Sequence, residues 1–239
     1  MTLVFVVIPT YNERGSLEEL VGKLGDLGMA EMKIIVVDDN SPDGTGELAE
    51  KLARIYPLKI IKRSQKLGLG TAYVYAFKKI LAGEFQDWGK PDLIIQMDAD
   101  LSHDPEIIPK MLERAQNCDL VLGSRYIPGG KIENWDIKRR LLSLFGNIYA
   151  RLILRLPYRD LTGGFKCFKR QVLENIDLDS LSSVGYNFQI ETTFRARQKG
   201  YKICEIPITF TERKFGKSKI NLPIIFESFW KVLLLKIKN

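Results

Sequence analysis

Five short runs in the first 125 residues are almost unbroken in valine, isoleucine and leucine. They are LVFVVIP (3–9), KIIVVDD (33–39), LKIIKR (58–63), DLIIQMD (92–98) and DLVLGSR (119–125). A strand with one wet face alternates apolar and polar residues, so runs this continuous belong to strands covered on both faces. Between them, residues 13–25, 44–56, 70–83 and 105–116 carry helical periodicity. Strand and helix alternating in this way predict an α/β fold with a mostly parallel, helix-covered sheet. In such sheets ligands bind beyond the carboxyl ends of the strands. At those ends stand PTYNE, DDNSPDGT, DADLSHDP and GSRY. The densest polar segments of the chain are thus expected on one edge of one sheet.

The 239 residues, 45% hydrophobic and without a repeat or linker-like tract, suit a single domain over 1–239. An excess of 36 basic over 29 acidic residues gives a net charge of +7 and favours anionic partners. A nucleic-acid module needs basic residues interleaved with exposed aromatics, or a helix-turn-helix, whereas the clusters here are acidic, so no nucleic-acid partner is expected. There is no G-x-x-x-x-G-K-[ST] motif. GLGTAY (68–73) follows the third strand and has Tyr73 where a dinucleotide fingerprint needs its third glycine. Cys118, Cys167 and Cys204 are widely spaced without a metal-ligand pattern and are expected to be reduced and packed. No secretory signal and no 18-residue apolar run is present, so a cytosol-facing chain without a membrane span is expected.

Asp98 and Asp100 leave the fourth strand one residue apart. On an extended backbone they point to opposite sides unless the strand bends as it ends. Two carboxylates at a ligand edge suit Mg2+ or Mn2+, which take hard oxygen ligands and share them with substrate phosphates. Either aspartate could instead cap the next helix, but Asp104-Pro105 already supplies a cap and a first-turn proline. Ser41-Pro42-Asp43-Gly44 is a turn that would present Asp38 and Asp39 to a base or ribose, and Tyr11 with Glu13 suits a base pocket. His103, the only histidine, is expected to be structural and not a general base. Asp160 opens DLTGG (160–164), whose glycines allow close backbone approach to a ligand.

Taken together and in order from Pro9 to Lys219, PTYNE, DDNSPDGT, KLGLGTAY, MDADLSHDP, GSRY, NWDIKRR, DLTGGFKCF and RKFGKSK resemble the dolichol-phosphate mannose synthases. These are inverting glycosyltransferases of the GT-A fold. The resemblance implies transfer of mannose from GDP-mannose to dolichyl or another polyprenyl phosphate, with Mg2+ or Mn2+ as cofactor. Another donor such as UDP-glucose is the alternative. It implies Pro9, Tyr11, Glu13, Val37 and Asp39 at the nucleoside, and Asp98, Ala99 and Asp100 at the diphosphate. Asp98 and Asp100 would hold the metal, Asp100 as principal ligand. Arg125 and Arg139 would face the acceptor phosphate, and Arg213 and Lys219 would close over the reacting phosphates. Some relatives place Gln at the metal where this chain has the shorter Ser102, so that contact stays open.

Residues 136–156 form a basic amphipathic pattern, apolar at Ile137, Leu141, Phe145, Ile148 and Leu152 with Lys138, Arg139, Arg140, Arg151 and Arg155 between. Such a helix either covers a core or lies on a membrane surface, and a lipid-linked acceptor favours the membrane. The apolar segment 222–235, with Phe226, Phe229 and Trp230, has three placements open to it: on the domain, in the interface, or against a membrane-anchoring partner protein. The location implied is peripheral, on the cytosolic face of the endoplasmic reticulum in a eukaryote or of the plasma membrane in a prokaryote.

Overall fold

The structure, a computed structural model, describes residues 2–181, 186–213 and 222–237. Its main sheet is built from β1 (Val4–Thr10), β2 (Met32–Asp38), β3 (Leu58–Lys62), β4 (Leu93–Gln96), β5 (Leu120–Ser124), β7 (Lys166–Lys169) and β8 (Ile203–Pro207). The strand order is β3-β2-β1-β4-β7-β5-β8. All neighbouring pairs are parallel except the two made by β7, which runs antiparallel to β4 and to β5. Two reversals cancel, so β1, β2, β4 and β5 all deliver their carboxyl ends to one edge, as the sequence predicted.

The apolar runs are continuous because each strand feeds two cores. Phe5, Val7, Ile35, Val37, Ile94 and Leu122 point to one face, against α3 (Leu69–Leu81), α5 (Ile137–Leu154) and α7 (Tyr186–Gln198). Val4, Val6, Ile8, Ile34, Val36, Ile95 and Val121 point to the other, against α1 (Arg14–Asp26), α2 (Thr45–Leu52) and α4 (Ile108–Ala115). Burying one such side chain contributes about 1.5–3 kcal/mol, so a polar substitution on either face is costly. A short helix, α6 (Arg170–Asn175), follows β7.

Three further elements shape the site. β6 (Lys131–Glu133) pairs in parallel with β9 (Thr209–Thr211) as a separate ribbon. Asp136 starts α5 by accepting a hydrogen bond from the Arg139 amide at 2.9 Å, a regular N-cap. The final helix, α8 (Leu222–Ile237), packs against α5 and α7, with Phe229 edge-on to Phe145 and to Tyr149. No helix among the described residues is long and apolar enough to cross a membrane.

Candidate active site

At the β1 and β2 ends, Asp38 and Asp39 are both buried. Asp38 accepts from the Thr10 hydroxyl at 3.0 Å and from the Ser41 amide and hydroxyl at 3.0 and 2.5 Å, so it braces the two loops and is not presented to a ligand. Asp39 pairs with Arg63 at 3.1 Å and accepts from the Leu67 amide at 3.2 Å, which ties it to the KLGLG segment. Lys66 of that segment lies 4.1 Å above the Tyr11 ring. The Glu13 amide donates to Thr45 at 3.0 Å, and its carboxylate accepts from Ser16 at 3.1 Å. Pro9 and Val37 are register partners and both are buried, Val37 wholly.

β4 ends at Gln96, two residues before the run read from sequence, so Asp98 and Asp100 sit on a loop rather than on opposite faces of a strand. The loop turns at Leu101, whose φ of 64° is left-handed. Both carboxylates line one cavity. Oδ1 of Asp100 accepts from the amide and the hydroxyl of Ser102 at 3.1 and 2.5 Å, and Oδ2 lies 3.3 Å from Arg213 Nη2. Ser102 thus grips Asp100 and leaves one oxygen facing outward. Ala99, between the aspartates, is buried. Asp98 accepts from the Tyr73 hydroxyl at 3.3 Å. Burial raises its pKa above the usual carboxylate range; the nearby Asp100 charge adds to this and His103 opposes it. The helix cap is Asp104, which accepts from the Glu106 amide at 3.1 Å, so neither Asp98 nor Asp100 is spent on capping.

His103 is buried, stacked on Phe165 with ring centroids 5.0 Å apart. Burial lowers its pKa and keeps it neutral. Its Nδ1 accepts from the Asp98 amide at 3.2 Å, which puts the ring proton on Nε2. Nε2 is then a donor, which cannot take a proton. The structural expectation for His103 agrees with this geometry.

Beyond the aspartates the cavity, about 140 Å³, runs between Arg125, Arg139 and Arg213 at one end and Leu142, Gly146, Tyr149, Ile190, Phe229 and Val232 at the other. Each arginine has a carboxylate. Arg125 Nε and Nη2 fork onto the two oxygens of Asp160, each at 2.7 Å, with both residues buried. Arg139 Nη1 donates to Glu212 at 2.5 and 2.6 Å while its guanidinium lies 4.0 Å from the Trp135 ring centre. Burial alone would raise the pKa of Asp160, but the Arg125 charge and hydrogen bonds outweigh it and hold the carboxyl below its usual range. Gly164 packs so closely that a Cβ there would lie 3.1 Å from Asp98 Oδ2, and one on Gly163 would lie 3.1 Å from the Gly123 carbonyl oxygen. The glycines of DLTGG therefore bring this loop against Asp98 as well as Arg125.

Of the residues named from sequence, Asp98, Asp100, Arg125, Arg139 and Arg213 line this one cavity. Lys219 lies outside the described residues, as does the side chain of Phe226. The cysteine expectation fails for two of three: Cys204 on β8 and Cys118, just before the adjacent β5, form a disulfide, their Cα atoms 6.1 Å apart. The reason is register, since β8 is a strand that the sequence reading lacked, and it brings residue 204 beside the start of β5. Cys167 is free and buried, and burial pushes its thiol up to about 12. Sequence reasoning missed Trp135, Asn147, Glu205, Phe210 and Glu212. Trp135 and Glu212 flank motif arginines, whereas Asn147 and Glu205 carry no local signal.

The donor set can be tested against a divalent cation. Among the described residues no group of three or more His, Cys, Asp or Glu side chains converges. Two carboxylates without a third protein ligand suit Mg2+ or Mn2+, which are completed by ligand phosphates and water, and a cation relieves the burial of two like charges.

A profile for glycosyl transferase family 2 matches residues 5–177. An undecaprenyl-phosphate mannosyltransferase of Micrococcus luteus is 42% identical over 229 residues, 94% of this chain and 90% of that protein. A polyprenol monophosphomannose synthase of Mycolicibacterium smegmatis is 43% identical over 233 residues, 95% of this chain and 84% of that one. Among solved structures, glucosyl-3-phosphoglycerate synthase of Mycobacterium tuberculosis in complex with Mn2+ and UDP-glucose superposes with a TM-score of 0.69 at 17% identity, over 99% of this chain and 78% of that one. A mannosyltransferase of Pyrobaculum calidifontis in complex with GDP-Man and Mn2+ gives 0.59 at 17%, over 98% and 73%. At such identities the two structures attest the GT-A fold alone.

Proposed function

The chain belongs to glycosyl transferase family 2, among the polyprenyl-phosphate mannose synthases, and from that membership we propose that it transfers mannose from GDP-mannose to the phosphate of a polyprenyl lipid. The observation that carries the reading is the two-ended cavity. Its cationic end, beside Asp98 and Asp100, suits phosphates, and its apolar end, between α5 and α8, suits the first part of a lipid chain.

In the reaction an oxygen of the acceptor phosphate forms a bond to C1 of mannose from the face opposite the diphosphate. The C1–O bond to the diphosphate breaks, and GDP leaves with the electron pair, so C1 is inverted. A phosphate monoester has its second pKa at about 6 and is already an anion at neutral pH, so no residue need remove a proton. What remains is to bring two anions together and to stabilise the departing one, both electrostatic tasks. Arg125 and Arg139 receive the acceptor phosphate, and Arg213, next to Asp100, serves the diphosphate. Asp98 and Asp100 would hold Mg2+ or Mn2+, which when bound supplies positive charge for the leaving diphosphate.

The nucleoside is assigned to Pro9, Tyr11, Glu13, Val37 and Asp39. The protein works at a membrane surface, and the exposed side chains of α5 support this: Ile137, Leu141, Leu144, Phe145, Ile148 and Leu152 form one apolar stripe. Trp230 and Ile237 of α8 are also exposed. An apolar stripe flanked by basic residues suits the interface of an anionic bilayer. The cytosolic face is the location this implies, where GDP-mannose is available.

Incubation with radiolabelled GDP-mannose, polyprenyl phosphate and Mn2+, followed by lipid extraction, tests the reading. Label in the lipid phase supports it. Label that enters lipid from UDP-glucose but not from GDP-mannose would replace the donor.

A further inference from the structure

Residues 159–162, which carry Asp160, give up four successive backbone N–H groups to two side chains from distant parts of the chain. Glu205 of β8 accepts from the Arg159 amide at 3.0 and 2.9 Å and from the Asp160 amide at 2.9 Å. Asn147 of α5 accepts through Oδ1 from the Leu161 amide at 2.7 Å and the Thr162 amide at 3.2 Å. Its Nδ2 donates to the Thr162 hydroxyl and to the Ser143 carbonyl, each at 3.0 Å. The same hydroxyl accepts from Arg125 Nη2 at 2.8 Å. Two contacts therefore separate Asn147 from the Arg125 guanidinium.

A loop has no ladder to fix its position, and each of these amides would otherwise need its own partner. With all four held, Asp160 is aimed at Arg125, which takes the fork and also donates its own amide to Asp160 at 2.9 Å. Asn147 is 1% exposed and belongs with Ala150 and Leu154 to the buried side of α5, away from the exposed apolar stripe. A buried amide side chain costs stability unless its groups are paired, and here both are.

We infer that Asn147 is a positioning residue for acceptor capture: it ties α5, whose outer face is apolar, to the loop that sets Arg125. Seating α5 at the lipid and aiming Arg125 at the lipid's phosphate are thereby one mechanical event. Glu205 anchors the same loop from the sheet side. The inference rests on the assignment of Arg125 to the acceptor phosphate made above.

The test is a double-mutant cycle on the whole chain in vesicles containing polyprenyl phosphate, with active-site concentration titrated so that loss of folded enzyme does not enter. Asn147→Ala is expected to raise the acceptor KM about tenfold, leaving the GDP-mannose KM within twofold. Arg125→Ala raises the acceptor KM, and adding Asn147→Ala to it changes little further, because the two act through one contact chain. Thr162→Val cuts the hydroxyl between them while leaving the four amide contacts, and should give the Asn147→Ala phenotype if that variant folds poorly. If Arg125→Ala leaves the acceptor KM unchanged, the functional assignment fails. If Arg125→Ala raises it while Asn147→Ala and Thr162→Val do not, or if the effects multiply in the double variant, the positioning role alone is overturned.

Discussion

Replacing Asp160 by alanine separates what the buried pair does for the fold from what it does for the site. Asp160 is 1% and Arg125 7% exposed, and the carboxylate accepts from Nε, Nη2 and the backbone amide of Arg125 within 2.9 Å. Solvent does not screen such a pair, and removing one partner strands the other charge, at a cost of about 3–5 kcal/mol. For a chain of this size about 2–4 °C of Tm is lost per kcal/mol, so a drop on the order of 10 °C is expected. The double variant Arg125→Met/Asp160→Leu should recover most of that, because it leaves no unpaired charge, while still failing in transfer. The sign of the pH dependence is also fixed. Asp160 has a folded pKa below its unfolded one, so its contribution is full above about pH 4 and is lost as pH falls through the folded value. The Tm gap between wild type and Asp160→Asn should therefore close in acid. Thermal unfolding from pH 7 down to pH 2 reads both effects. A drop under 2 °C for Asp160→Ala at pH 7, or a gap that widens in acid, would refute the account of the pair.

Asp100→Asn should abolish transfer and remove the Mn2+ dependence of GDP-mannose binding measured by calorimetry, with Tm little changed; wild-type rates would remove Asp100 from the metal. His103→Ala should keep substantial activity in the lipid-extraction assay, since Nε2 holds a proton already; a dead variant with intact donor binding would overturn the base-free mechanism. Gly146 lines the apolar end of the cavity, and a Cβ built there meets no atom within 4 Å. Gly146→Ala should stabilise α5 by about 0.5–1 kcal/mol, whereas Gly146→Leu should fill the cavity and raise the acceptor KM at least tenfold with the donor KM unchanged. The Cys118–Cys204 bridge spans 86 residues, so Cys118→Ala/Cys204→Ala should cost about 2–5 kcal/mol in urea unfolding; equal midpoints for this variant and the oxidised wild type would show that the bridge contributes nothing.

The parts of the fold that were legible are those whose signal is local. Five apolar runs became β1–β5 because a strand buried on both faces needs apolar residues at every position. β7 was illegible because it reads Lys166-Cys167-Phe168-Lys169. Its first lysine is wholly buried and is satisfied only by distant partners, the Gln189 carbonyl at 2.5 Å and the Thr192 and Thr193 hydroxyls at 3.0 and 2.9 Å. Nothing within β7 announces that α7 will supply three acceptors. The same distinction divides the site. Asp98 and Asp100 stand out as paired charges at a strand exit. Asn147 and Glu205 are ordinary residues whose role exists only once β8 and α5 converge on residues 159–162.

The three arginine pairs of the cavity are not equivalent, and their geometry decides which yields to an incoming phosphate. Arg125 and Asp160 are both buried and doubly hydrogen-bonded at 2.7 Å, so exchanging that carboxylate for a phosphate would leave Asp160 uncompensated in a low-dielectric site. Arg213 meets Asp100 through one 3.3 Å contact, with 18% of its side chain exposed. Arg139 is held close to Glu212, but the glutamate side chain is 31% exposed and can take up water when released. On the proposed assignment, Arg125 would therefore act as a fixed cation whose position is set before the acceptor arrives, while Arg139 and Arg213 would be the exchangeable ones. If Asp98 and Asp100 hold the proposed divalent cation, its charge would weaken the single Arg213–Asp100 contact and leave that guanidinium available to the diphosphate. The three arginine–carboxylate pairs are neutral together, so on the proposed assignment a dianionic acceptor would be favoured only once a divalent cation held by Asp98 and Asp100 has arrived with the donor. Acceptor binding should accordingly tighten when GDP and Mn2+ are present together, and equal affinity with and without them would contradict this order.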